Sequence, residues 1–209
     1  MIERLGLLGG TFDPPHIGHL WLAEAARDQL LLDKVLFLPV GQPPHKQAQA
    51  ITAVSHRLTM LQQTIADNPA FLLDTADIER PPPHTSCSLI PLMQQAHPQA
   101  KLWLIIGADS LTDLPDWVHP ELIIQQCRLA VLPRPAVEID WVALETAVPG
   151  VTQVVDILEG PTLNISSTTL RQWARRGRSL RYVVETAVIH HIRKNKLYSA
   201  SSPSAGLGT

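Results

Sequence analysis

Two histidines, His16 and His19, follow a double glycine within the string Gly9-Gly10-Thr11-Phe12-Asp13-Pro14-Pro15-His16-Ile17-Gly18-His19. Residues i and i+3 at a helix start project from one face, so both imidazoles can donate toward the same bound group. The free amides of a first helical turn and the positive end of the helix dipole favour an anion at that place. A glycine pair just ahead lets the backbone bend sharply and approach a phosphate closely. Thr11 adds a hydroxyl donor, and Gly18 leaves room between the rings. Together these groups suit the charge that develops on a phosphoryl group and a departing pyrophosphate.

Each part alone says less. A Gly-Gly pair is mostly a turn, and a lone histidine near a helix start is mostly a cap or a surface residue. A zinc site would need ligands beyond the pair, and the remaining histidines show no ligand spacing. Neither of two other phosphate cradles, GxxxxGK[ST] or GxGxxG, occurs in the chain. Further along, Ser166 can cap a helix and leave Ser167, Thr168 and the first amides facing a phosphate, with Arg171 one turn on. The same Ile-Ser-Ser-Thr is also simply a good helix start. Asp109, two residues after Gly107, can bond a ribose hydroxyl or cap a helix.

These residues need a frame, and the hydrophobic pattern supplies one. Short apolar runs alternate with longer amphipathic segments, as when parallel strands are joined by helical crossovers. Strands are expected at Arg4 to Leu8, Val35 to Leu38, Phe71 to Asp74, Leu102 to Ile106, Arg128 to Leu132 and Val151 to Ile157. The continuous run at Leu102 to Ile106 reads as a central strand covered on both faces. Helices are expected at Ile17 to Leu30, Ser55 to Ala66, from Thr85 onward across Pro91, Ser166 to Arg176 and Val183 to Lys194. The tract from Arg80 through Pro83 reads as an ordered turn or loop. The expected fold is α/β: a doubly wound, mostly parallel Rossmann-like sheet with a helical C-terminal portion. Ligands in such folds sit at the carboxyl ends of the strands.

The bulk properties narrow the partners. With 45% hydrophobic and 17% charged residues over 209 positions, the chain can bury a core and is not a disordered or collagen-like polymer. A formal net charge of −2 gives no whole-chain field for nucleic acid or an anionic membrane, so phosphate binding must be local. Cys87 and Cys127 form no CxxC pair or disulfide framework and read as free thiols. Leu5 to Leu8 is too short for a signal-peptide core, and no apolar run reaches ~20 residues. A cytoplasmic protein with no membrane or nucleic-acid partner is expected. We read residues 1–198 as one domain and residues 199–209, rich in Ser, Ala and Gly, as a flexible tail.

The Gly9 to His19 string resembles the signature of the HxGH nucleotidyltransferases, and the later motifs resemble the bacterial nicotinate-nucleotide adenylyltransferase family. The match includes Pro43-Pro44-His45-Lys46, Asp77 with Glu79 and Arg80, Ile105 to Ser110, and Asp116-Trp117. Arg134, Ile165 to Thr168 with Arg171, and the closing Asn195-Lys196-Leu197-Tyr198 complete it. Where the family usually has Tyr-Thr-x-x-Thr-Leu, this chain has His84-Thr85-Ser86-Cys87-Ser88-Leu89.

The resemblance implies transfer of AMP from ATP to nicotinic acid mononucleotide, giving nicotinic acid adenine dinucleotide and pyrophosphate in NAD biosynthesis. It implies that His16, His19, Lys46 and Arg171 are catalytic, the histidines stabilising the transition state without a covalent intermediate. Gly9, Gly10, Thr11, Phe12, Gly107, Asp109, Ser167 and Thr168 would join His16, His19 and Arg171 in binding ATP. Lys46, Thr85, Trp117 and Arg134 would bind the mononucleotide; by residue type alone, Lys46 and Arg134 are surface cations and Trp117 is core packing. Mg²⁺ is expected as the chelate partner of ATP, held by phosphate oxygens and water, so no protein metal ligand is assigned. A homo-oligomer is left open. Two alternatives remain: a transferase of the same superfamily acting on nicotinamide mononucleotide, phosphopantetheine or a cytidylyl acceptor, and a nucleotide-binding module without catalysis.

Overall fold

The computed structural model describes residues 2–41, 51–134 and 137–199. Six strands form one sheet: β1 (Arg4–Gly10), β2 (Lys34–Pro39), β3 (Phe71–Leu73), β4 (Lys101–Gly107), β5 (Arg128–Leu132) and β6 (Val155–Ile157). Their order is β3-β2-β1-β4-β5-β6, and every neighbouring pair is parallel. The chain winds outward from β1 to β3, then returns to lay β4 on the other side of β1. Strand order therefore reverses between β1 and β4, which opens a crevice at their carboxyl ends. The doubly wound expectation holds, with the sheet wholly parallel.

Ten α-helices are described: α1 (Ile17–Gln29), α2 (Val54–Thr64), α3 (Ala76–Glu79), α4 (Ser86–Ala96), α5 (Ala108–Thr112), α6 (Pro120–Gln126), α7 (Trp141–Ala147), α8 (Val151–Val154), α9 (Ser167–Arg175) and α10 (Thr186–Lys194). Alternation along the strands sorts side chains into two cores. Leu5, Leu7, Leu104 and Ile106 pack with Leu89, Ile90 and Met93 of α4 and Ile123 of α6. On the opposite face Leu8, Val35, Phe37, Trp103 and Ile105 pack with Ala23, Ala25 and Ala26 of α1 and Leu61 of α2. Truncating any of these large side chains would cost about 2–5 kcal/mol. Gly6 in β1 has a specific reason: a Cβ there would meet Ile105 Cδ1 at 2.8 Å and Leu32 Cδ1 at 2.9 Å.

A third core joins Leu170, Leu180, Val184, Val188, Ile189 and Ile192 of the C-terminal portion to Met60 of α2. The helical ending of the sequence thus docks through α2, whose buried stripe is Arg57, Met60, Leu61 and Thr64.

Two expectations need correction. Val151 to Ile157 is not one strand, because Val151–Val154 is a helical turn and only Val155–Ile157 pairs with β5. The Glu145 carboxylate accepts the amides of Gly150 and Thr152, and Gly150 takes a left-handed φ of 91°, which together start a helix there. The last helix begins at Thr186 rather than Val183. The Val183 carbonyl accepts from the Ile17 amide at 3.0 Å, so it is diverted from a helical bond of its own. The proposed tail beyond Ser199 lies outside the described residues.

Candidate active site

The crevice begins where β1 ends. A Cβ on Gly9 would meet no described atom within 4 Å, so the space above it is open. Gly9 and Gly10 both line the cleft. The turn that follows is fastened from below by Arg57, which is 1% exposed. Its guanidinium donates to the carbonyls of Thr11 (3.0 Å), Val40 (2.9 Å), Gly41 (3.2 Å) and Thr52 (3.1 Å). Phe12 adopts φ 49° and turns its ring into the core beside Phe37, with the His19 ring edge-on at 5.0 Å. Its side chain therefore supports a histidine.

His16 is the N-cap of α1, and its ring lies 3.7 Å from that of His19, centroid to centroid. The His16 amide donates to His19 Nδ1 at 3.2 Å, which makes Nδ1 the acceptor and assigns the His19 proton to Nε2. Burial, reinforced by the charge of Arg134, pushes the His16 pKa down to about 4. The ring is therefore uncharged at neutral pH. Gly18 is small for a local reason, since its Cβ would stand 3.0 Å from His16 Nδ1.

Across the crevice, β4 ends at Gly107, where a Cβ would collide with Asp109 Oδ1 at 2.6 Å. The glycine thus leaves the Asp109 carboxylate its place, 3.5 Å from Arg134 Nε. Ser166 caps α9 by accepting the Thr169 amide at 3.2 Å. Ser167 donates to the Pro14 carbonyl at 2.8 Å, and Arg171 donates to the Asp13 carbonyl at 2.7 Å and to Thr168 Oγ1 at 3.2 Å.

Two connected hollows result. One, of ≈ 250 Å³, is lined by His16, Gly18, His19, Arg134, Ser167 and Thr168 among others. The second, of ≈ 320 Å³, is lined by Gly9, Gly10, Asp77, His84, Thr85 and Trp117 among others. His19, Gly107, Asp109 and Arg134 line both, so the two meet at these residues. The structure thus gathers His16, His19, Gly107, Asp109, Ser167, Thr168 and Arg134 around one hollow, and Thr85 and Trp117 around the other, where Gly9 and Gly10, expected to bind ATP, also lie. Arg171, Thr11 and Phe12 are not among the described lining residues, and Arg171 instead ties α9 to the Asp13 turn. Lys46 lies outside the described residues.

Around the second hollow, Arg80 pairs with the buried Asp77 at 2.5 Å and donates to the Thr85 carbonyl and to Ser88 Oγ. Ser88, which departs from the usual family residue, therefore helps hold the loop. His84 packs its ring over Gly41, where a Cβ would meet it at 2.7 Å. Sequence reasoning gave no role to Asp13, Arg57 or Trp21. Arg57 carried a signal: a cation at i beside Met60, Leu61 and Thr64 at i+3, i+4 and i+7 stands on the core-facing stripe.

The sequence model of the Cytidylyltransferase-like family matches residues 7–173. A relative from Thermomicrobium roseum named "Probable nicotinate-nucleotide adenylyltransferase" is 39% identical over 94% of this chain and 92% of its own length. One of the same name from a Roseiflexus species is 42% identical over 93% of this chain and 97% of its own. The chain belongs to the nicotinate-nucleotide adenylyltransferase family. The fold has the same kinship: the Plasmodium falciparum nicotinic acid mononucleotide adenylyltransferase complexed with NaAD superposes with a TM-score of 0.77 at 17% identity, over 94% of this chain and 97% of that one. A second structure of that enzyme, complexed with APC, gives 0.75. Family membership accounts for the string at Gly9 to His19 and for the carboxyl-end crevice together. Among the described residues no helix is long and apolar enough to cross a membrane, and no group of three or more His, Cys, Asp and Glu could hold a metal ion.

Proposed function

We propose that this chain transfers AMP from ATP to nicotinic acid mononucleotide, forming nicotinic acid adenine dinucleotide and pyrophosphate in NAD biosynthesis. The observation that carries this reading is the pair of hollows meeting at His19, Gly107, Asp109 and Arg134. Two phosphate-bearing substrates can approach there from opposite sides. ATP occupies the hollow with the α1 and α9 N-termini, and the mononucleotide occupies the hollow with Thr85 and Trp117, its pyridine ring against the indole.

A phosphate oxygen of the mononucleotide attacks the α-phosphorus of ATP. The bond from that phosphorus to the β-phosphate bridging oxygen breaks, and pyrophosphate leaves with the electron pair. The nucleophile is already ionised at neutral pH, so no protein base is needed, and positioning and electrostatics supply the catalysis. His19 donates through Nε2 and the neutral His16 stands beside it. Ser167, Thr168 and the first amides of α9 receive phosphate oxygens. Arg171 acts by holding α9 to the Asp13 turn, and Lys46 supplies a further cation. Mg²⁺ would be bound as the ATP chelate and would supply charge neutralisation at the phosphates; Asp109, a single carboxylate, would face it without forming a ligand cage.

The test is pyrophosphate release from ATP with the acid mononucleotide, the amide mononucleotide and phosphopantetheine offered separately. Release with the acid form at the highest kcat/KM is expected. Release with phosphopantetheine alone would move the chain to another acceptor, and tight ATP binding with no release from any acceptor would make it a binding module.

A further inference from the structure

We infer that Tyr198, at the end of the described chain, is a positioning residue for the histidine pair, acting through Asp13. The inference rests on the adenylyl-transfer reading above. Tyr198 OH donates to Asp13 Oδ1 at 2.5 Å across 185 residues of sequence. Asp13 is 2% exposed and lies three residues before His16. Its other carboxylate oxygen accepts the Thr52 amide at 3.1 Å, and its carbonyl accepts from Arg171 at 2.7 Å. Both carboxylate oxygens and the carbonyl of this one residue are thus held by three remote segments.

The electrostatics fit a fixed carboxylate. Asp13 is buried next to a site built for anions, where an unpaired negative charge would repel a triphosphate. Burial lowers the pKa of the Arg57 guanidinium, and the Asp13 charge opposes that, so the cation and the carboxylate favour one another. Burial first, then the Asp13 charge, pushes the Tyr198 hydroxyl well above its ordinary pKa, so it stays a proton donor. The backbone around it is unusual for a bulky residue: Tyr198 has φ 59° and Lys196 has φ 52°. Left-handed geometry at a tyrosine persists only where surrounding contacts over-determine it. The hydrogen bond to Asp13 and the packing of Tyr198 and Leu197 against the third core provide those contacts.

The turn from Asp13 to His16 therefore depends on residues near the end of the described chain. Ser167 on Pro14 and the Val183 carbonyl on Ile17 add to the same clamp. Because the histidines must meet charge that develops only in the transition state, a small shift of this turn should lower kcat more than it raises KM.

The experiment uses the full chain and compares it with Tyr198→Phe, Asp13→Asn and the double variant. Pyrophosphate release gives kcat and both KM values, and amide hydrogen exchange is followed over residues 14–20. For Tyr198→Phe we expect kcat to fall about 10- to 100-fold, as for a misplacement of ~1 Å, with both KM values within about threefold. Exchange over 14–20 should quicken while the melting curve stays cooperative. The double variant should be no slower than the slower single one, because both remove the same link. Tyr198→Phe with kcat within twofold of the parent, or with unaltered exchange over 14–20 and only a lower melting temperature, overturns the inference. If Asp13→Asn does not fold, Tyr198→Phe decides alone. If the parent releases no pyrophosphate, the functional reading fails, and the exchange comparison still decides whether Tyr198 holds the turn.

Discussion

On the adenylate side of the cleft, polar side chains bond the backbone of distant segments, whereas on the mononucleotide side they bond residues of their own loop. Ser167 reaches Pro14 and Arg171 reaches Asp13. Arg80, by contrast, serves Asp77, Pro83, Thr85 and Ser88, all within eight residues. The groups proposed to receive phosphate are thereby held by distant segments, while the loop proposed to receive the acceptor can change without disturbing them. His84 and Ser88, which stand where the resemblance implies Tyr and Thr, both fall on that loop.

The largest effect should come from His19→Ala. It removes a side chain that lines both hollows and should lower kcat roughly 10²- to 10³-fold, with the melting temperature little changed. Near-normal turnover would remove His19 from catalysis and blur the distinction between the two sides.

His16 offers a test in the absence of substrate. Its folded pKa of about 4 lies below the ordinary 6.5, so between these values the unfolded chain binds more protons than the native one. Stability from this group is therefore full above pH 6.5 and is lost as pH falls toward 4, in total on the order of 3 kcal/mol. His16→Gln should flatten the stability curve across that window relative to the parent. His191, also held low by burial and then by His56 and Lys194, contributes to the slope in both proteins, so the difference isolates His16. Equal slopes would mean the His16 ring is solvated rather than buried at the foot of the cleft.

Trp117→Ala probes the other side. Loss of an aromatic–pyridine stack worth roughly 1–3 kcal/mol should raise the KM for the mononucleotide about 10- to 100-fold. The KM for ATP should hold. A matching rise for ATP would mean that the two hollows bind as one unit.

Legibility in the sequence follows the same division. The strands announce themselves because a parallel sheet buried on both faces needs continuous apolar runs, as at Leu102 to Ile106. The glycines, His16, His19 and the Ser166 cap are legible because their chemistry is local to a strand end or a helix start. Arg57 and Asp13 are not, since their partners come from separate segments, and a 185-residue hydrogen bond from Tyr198 leaves no spacing to read. The helical turn at Val151–Val154 is hidden similarly, because its amides are bound by Glu145 outside the β-branched run. Arg171 reads as a ligand contact because an arginine one turn into a helix commonly faces a phosphate; here two of its nitrogens are directed at Asp13 and Thr168.

The smallest effect, and the finest test of the comparison, is His84→Tyr, which restores the residue usual in the family. The imidazole of His84 lies over Gly41 and lines the hollow with Thr85 and Trp117, while the adenylate hollow does not include it among its described lining. A larger ring in that place can still lie flat because Gly41 offers no Cβ. The change should therefore alter the KM for the mononucleotide by only about two- to fivefold, under ~1 kcal/mol, with kcat and the KM for ATP held. If instead kcat falls tenfold, the loop at His84 is coupled to the histidine junction through Gly41 and the Arg57 bond to its carbonyl. The mononucleotide side would then be fastened to the frame as firmly as the adenylate side.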